Sequence, residues 1–133
     1  MPLVRISMLK GRPAGFGEKA GRAIYESMLE TIGVPQHDNF QIITEQDKAG
    51  LVYDPGYLGI HRSDGIVIIQ ITLSEGRSVE RKQALYARIS ERLGVLGVRA
   101  EDVFINLVEV KKENWSFGNG IAQYVVPAVA VSA

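Results

Sequence analysis

The stretch Met8-Leu9-Lys10-Gly11-Arg12-Pro13 returns 65 residues later as Leu73-Ser74-Glu75-Gly76-Arg77-Ser78. Each copy follows an apolar run of strand length. A second pair has an offset of 64 residues: Gly33-Val34-Pro35-Gln36-His37-Asp38-Asn39-Phe40 matches Gly97-Val98-Arg99-Ala100-Glu101-Asp102-Val103-Phe104. Two units of about 45 residues therefore stand in tandem. Each reads as strand, Gly-Arg turn, helix, Gly-Val turn, strand.

In the first unit Leu3 to Leu9 is the opening strand. A helix from Glu18 to Ile32 follows, with Ile24, Met28 and Ile32 four apart on one face. Gly33 and Pro35 stop it, and Phe40 to Thr44 is the return strand. The second unit runs from Gly65 to Thr72, through a helix from Ser78 to about Leu93, to Val103–Val110. Leu85, Ile89 and Leu93 form its buried stripe. Glu80 suits the positive end of that helix, although Arg81 stands where a capping box would place an acid.

A strand–helix–strand unit pairs its strands in parallel through a right-handed crossover. The expected fold is α/β: a tandem β-α-β repeat forming a four-stranded, mainly parallel sheet. Both helices lie on one face, and a C-terminal hairpin is expected at Trp115–Gly120. Residues 1–133 are read as one domain, with repeat units at about 2–44 and 65–110. Strands 1, 3 and 4 read as apolar on both faces, and Ile66, Val67, Ile68, Ile69 and Ile71 nearly fill the third. Such strands are covered twice. With no second helical layer in the chain, the cover is expected from other subunits. The apolar tail after Ile121 is expected to pack there too.

Composition narrows the function. Fifteen basic and fifteen acidic residues give a formal net charge of zero, with a pI near 6.7, which argues against nucleic-acid or membrane-surface binding. The absence of cysteine excludes disulfides, thiol nucleophiles and thiolate metal sites. With His37 and His61 as the only histidines, no metal site is expected. No run approaches the length of a membrane span, and the N-terminus does not read as a signal peptide. The expected location is the cytoplasm.

Pro2 carries the chemistry. Methionine before a small residue is normally removed, and a terminal proline has a free, titratable secondary amine. Such an amine serves as base, proton donor or nucleophile according to its pKa. Burial lowers that pKa and a neighbouring carboxylate raises it.

Pro2 opening a strand, the Lys-Gly-Arg turn and the tandem repeat resemble the tautomerase superfamily. Within it, three local matches are similar to malonate semialdehyde decarboxylases: Gly33-Val34-Pro35 with Asp38, Gly59 with Arg62-Ser63, and Trp115-Ser116-Phe117-Gly118-Asn119-Gly120. The resemblance implies a homotrimer that needs no cofactor. The proline amine would polarise the aldehyde oxygen or form a Schiff base, and Asp38 occupies the place of the aspartate that assists it. Arg77 fits the position that holds the substrate carboxylate. Trp115, Phe117 and Tyr124 match the aromatic wall of a dry pocket. The better-known decarboxylases carry two arginines at this turn, whereas Ser74-Glu75-Gly76-Arg77 has one.

The expected activity is decarboxylation of malonate semialdehyde (3-oxopropanoate) to acetaldehyde and carbon dioxide. The catalytic residues are Pro2, Asp38 and Arg77, and Arg77, Trp115, Phe117 and Tyr124 bind substrate. A tautomerase or hydratase acting on 2-oxo, acetylenic or halogenated acrylic acids is the alternative. A non-catalytic trimeric binding protein is a third.

Overall fold

The two Gly-Arg turns share a backbone conformation as well as a spelling. Gly11 and Gly76 have φ of 113° and 121°, and the helix-ending Gly33 and Gly97 have φ of 65° and 90°. All four lie in the left-handed region that glycine enters without steric penalty. In the computed structural model, which describes residues 2–125, these turns connect β1 (Leu3–Leu9), α1 (Phe16–Thr31) and β2 (Phe40–Gln46) in the first unit. The second unit is β3 (Val67–Ser74), α2 (Val79–Val95) and β4 (Val103–Val110).

The sheet order is β2-β1-β3-β4. Each unit pairs its own strands in parallel, Leu3 opposite Phe40 and Val67 opposite Val103. The units meet through the antiparallel pair β1–β3, with Ile6 opposite Ile69. The expected mainly parallel sheet is therefore two parallel units joined by one antiparallel seam.

Both helices cover the same face. Val4, Ile6 and Met8 of β1 and Val67, Ile69, Ile71 and Leu73 of β3 pack against Ile24 and Met28 of α1 and Leu85, Ile89 and Leu93 of α2. Gly17 and Gly21 let α1 approach β2 closely. A Cβ at Gly17 would stand 2.9 Å from Ile43, and one at Gly21 would collide with the Gln41 amide. Ser78 caps α2, its hydroxyl accepting from the Arg81 N–H at 3.2 Å. Across the helix pair Arg88 meets Glu30 at 2.6 Å and Arg92 meets Glu26 at 2.8 Å.

Two expectations need correction. The face away from the helices is not apolar throughout. By strand alternation it carries Arg5, Ser7, Gln70, Thr72 and Asn106 across its middle. Exposed Phe40, Ile42, Phe104 and Val108 lie toward its edges. The linker covers one end only, where Leu51 and Tyr53 pack on Leu9, Ile66 and Ile68. The second correction concerns the hairpin. Residues 115–125 contain turns and no strand ladder. The Gln123 side chain supplies what a second strand would have given, accepting from the Phe117 N–H at 2.9 Å and donating to the Gly118 carbonyl at 2.7 Å. The apolar tail from residue 126 lies outside the described residues.

Candidate active site

Pro2 is buried at the foot of β1. With Leu3, Phe40, Trp115, Ser116 and Phe117 it lines a cavity of about 220 Å³. The parallel β1–β2 register sets Leu3 beside Phe40, so the strand that presents Pro2 also brings one wall. Trp115 and Phe117 stack with centroids 5.5 Å apart, and Tyr124 meets Phe117 edge-on at 4.9 Å. The Gln123 clamp holds this aromatic ladder in place.

Asp38 sits in the turn between α1 and β2, its N–H donating to the Pro35 carbonyl at 3.2 Å. The adjacent His37 has φ of 70°, and its N–H donates to the Tyr25 hydroxyl at 2.8 Å. The exposed His37 is thus a turn residue that sets the direction of the chain at Asp38. Burial raises the pKa of the half-buried Asp38 carboxyl, and the chain's N-terminal ammonium opposes that rise. Burial also raises the pKa of Tyr124, the Asp38 charge adds to it, and Arg77 counteracts it. Tyr124 therefore feels both Asp38 and Arg77, and Asp38 in turn feels the start of the chain.

Arg77 is anchored from both units. Its Nε donates to the Ile32 carbonyl at the end of α1 at 3.1 Å, and its Nη1 donates to the Ser74 carbonyl at the end of β3 at 3.0 Å. Burial lowers its pKa, and so does the nearby charge of Arg81. Nη2 makes no hydrogen bond among the described residues, which leaves one donor edge for a ligand. The Ser74 hydroxyl accepts from the Trp115 indole at 3.1 Å, so one residue holds both the cation and the aromatic wall.

Arg77 and Tyr124 line a second, open groove of about 520 Å³, which Arg81, Lys112 and Glu75 also reach. The Phe117–Tyr124 contact joins it to the Pro2 cavity. Reading the sequence singled out none of Ser74, Arg81 or Lys112 as a functional cation or anchor. The spacing of Arg81, four residues after Arg77, was a usable signal; Lys112 is brought in by the fold alone. Arg62 lies elsewhere, its Nη1 donating to the carbonyls of Asp54, Tyr57 and Ile60 at 3.2, 3.1 and 3.4 Å. It shapes the linker. Among the described residues, no cluster of three or more His, Cys, Asp or Glu side chains could hold a metal ion, and no helix is long and apolar enough to cross a membrane.

A buried proline at a strand start, a carboxyl that feels the positive start of the chain, and an anchored guanidinium are chemically suited to holding small anions and moving protons. Comparison with known proteins makes the class specific. Residues 38–118 match the family described as "Tautomerase enzyme". The chain is 45% identical over 126 residues to the "Probable tautomerase YusQ" of Bacillus subtilis (strain 168), covering 94% of this chain and 99% of that one. The chain belongs to the tautomerase family. Among solved structures it is similar to the FG41 malonate semialdehyde decarboxylase inhibited by 3-bromopropiolate, at 34% identity and a TM-score of 0.87, covering 98% of this chain and 97% of that one. A second malonate semialdehyde decarboxylase superposes with a TM-score of 0.85 at 28% identity, covering 92% and 95% of the two chains.

Proposed function

We propose that this chain, after loss of Met1, is a homotrimeric enzyme that decarboxylates malonate semialdehyde to acetaldehyde and carbon dioxide through the Pro2 amine. The observation that carries the reading is that Pro2 lines an apolar cavity with Trp115 and Phe117, while the charges of Asp38 and Arg77 both reach Tyr124, the ring packed edge-on against Phe117. Asp38 also feels the positive start of the chain next to Pro2. A carboxylate beside an amine favours its protonated form. Pro2 would then carry a proton near neutral pH and donate it in a hydrogen bond to the aldehyde oxygen. The free edge of Arg77 would hold the carboxylate. As the bond from C2 to the carboxyl carbon breaks, its electron pair forms an enolate, whose oxygen the ammonium stabilises. Carbon dioxide leaves, and C2 takes a proton to give acetaldehyde. The half-buried Trp115 and Phe117 limit water at the breaking bond. Terminal amine and side chains suffice for this chemistry. The likeness to two malonate semialdehyde decarboxylase structures supports the reading.

The test combines turnover and titration. NMR should detect acetaldehyde from 3-oxopropanoate, and nitrogen-15 titration should place the Pro2 pKa above neutrality. Asp38→Asn and Arg77→Ala should each lower kcat/KM by about 10²-fold or more, with Arg77→Ala also raising KM. An undiminished Pro2→Ala or Met1-retaining enzyme would remove the proline from the mechanism.

The tautomerase reading is favoured by a different observation, the apolar cavity around Pro2, which lowers an amine pKa. The 45% identity to a probable tautomerase points the same way. A Pro2 pKa well below 7, no acetaldehyde, and fast ketonisation of phenylenolpyruvate would establish it.

A further inference from the structure

Malonate semialdehyde has a single negative charge, which one arginine can hold. The groove beyond Arg77 offers more than that. Arg77, Arg81 and Lys112 line it, and among the described residues Glu75 is the only carboxylate in its lining. Glu109, whose charge reaches Arg77, is engaged by Lys82 at 2.9 Å, and Asp38 acts on Tyr124 at the far end. Among the described residues, none of the three groove cations lies within ion-pair distance of a carboxylate, whereas Arg88, Arg92 and Arg99 all do. Arg77 is tied to two carbonyls. The Arg81 and Lys112 side chains make no hydrogen bond to the described residues and stand exposed at the rim.

Like charges gathered with few counter-charges repel one another: burial lowers the pKa of Arg77, and the charge of Arg81 lowers it further. An anion in the groove relieves that repulsion. Size points the same way. At about 520 Å³, the groove falls within the range of roughly 300–1,000 Å³ typical of ligand sites, and a three-carbon acid leaves most of it empty.

We infer that Arg81 and Lys112 form a second anion subsite beside Arg77, so that the preferred substrate is a dianionic oxo acid: one carboxylate on Arg77, a second anionic group on Arg81 and Lys112, and the oxo group toward Pro2. The inference rests on the proline-centred reading of the site and goes beyond malonate semialdehyde to a larger, doubly charged oxo acid decarboxylated by the same proline. Neither added cation takes part in bond breaking; their effect is on binding and selectivity.

Trp115 is the only tryptophan in the chain, and its indole bonds to Ser74 next to Arg77, so its fluorescence reports binding without turnover. The probes are pentanedioate and butanoate, unreactive acids that differ by one carboxylate. Wild type should bind pentanedioate about tenfold or more tightly than butanoate. In Arg81→Gln/Lys112→Gln that ratio should collapse toward one, while Glu75→Gln should raise it. Circular dichroism and thermal melting check that the exposed substitutions leave the fold intact. Turnover follows the same design: 3-oxopentanedioate should exceed 3-oxobutanoate in kcat/KM in wild type, and the double variant should lose the difference through KM.

A wild-type ratio near one, or a ratio unchanged in the double variant, overturns the subsite. If 3-oxopropanoate is nevertheless converted to acetaldehyde, the decarboxylase reading stands without it. If the ratio behaves as expected but no oxo acid releases carbon dioxide, the subsite stands and the decarboxylase reading falls.

Discussion

Ser74 shows how one residue can organise a site without reacting. Its carbonyl holds Arg77 at 3.0 Å and its hydroxyl holds the Trp115 indole at 3.1 Å. In the sequence it stood out only as part of a turn, Ser74-Glu75-Gly76-Arg77, with one arginine in place of two. Its role depends on a partner 41 residues away, which no local pattern encodes. Ser74→Ala keeps the carbonyl and loses the hydroxyl, leaving the indole N–H without its acceptor at a cost of about 1–3 kcal/mol. The Trp115 emission should shift, and kcat/KM should fall several-fold, with Ser74→Thr restoring both. Asp38 offers a pH test at the same scale. Its folded pKa lies above the ordinary 3.8 because of burial, so the folded chain binds that proton more tightly than the unfolded chain. Stability therefore decreases as pH rises from 3.8 through the raised value. At neutral pH the ionised carboxylate is a cost, as expected of a group positioned for function. Asp38→Asn should melt higher than wild type at about pH 7, and the difference should vanish by about pH 4. An equal or lower melting temperature at neutral pH would contradict this sign.

At the scale of elements, the linker between β2 and β3 is held by a carboxylate that the repeat pattern concealed. Asp102 is 2% exposed and accepts from the Ser63 N–H at 2.7 Å and the Ser63 hydroxyl at 2.6 Å. Arg99 supports it at 3.6 Å. Asp102 and Asp38 fall in the two copies of the Gly-Val segment, yet one latches the linker and the other faces the N-terminus. Asp102→Ala would leave the half-buried Ser63 N–H and hydroxyl without their acceptor and should cost about 1–3 kcal/mol, read as a lower urea midpoint at unchanged m. The strands were legible because period-2 and apolar runs mark them: β1 and β4 have the expected bounds. The face assignment was not, because counting apolar residues in Ile66–Ile71 hid the alternation that sends Ile68 and Gln70 to the opposite side from Val67 and Ile69. The expected hairpin failed for a related reason, since a side-chain amide replaced a strand's backbone partners.

For the whole molecule, the helix-free face remains the argument for assembly, now in a different form. Phe40, Ile42, Phe104 and Val108 are 52%, 43%, 46% and 37% exposed, around a middle of polar side chains able to hydrogen-bond between subunits. At micromolar concentration, sedimentation should give three times the 14.6 kDa chain, and Phe104→Asp with Ile42→Asp should yield smaller species. A wild-type monomer would remove the trimer from the proposal.

The sequence by itself determined the tandem repeat, the strand and helix order, the glycine turns and the residues Pro2, Asp38, Arg77, Trp115, Phe117 and Tyr124 as candidates. These are local matters: periodicity, left-handed turns and motif spelling reside in neighbouring residues. Tertiary structure decided which of these candidates meet. The parallel register of β1 and β2 sets Phe40 beside the Pro2 strand, and the antiparallel β1–β3 seam joins the two units. The carbonyl of Ile32 from one unit holds the Arg77 guanidinium of the other. Arg81, Lys112 and Ser74 joined the site because sheet order and helix placement brought them there, a long-range outcome of packing that spacing along the chain does not record.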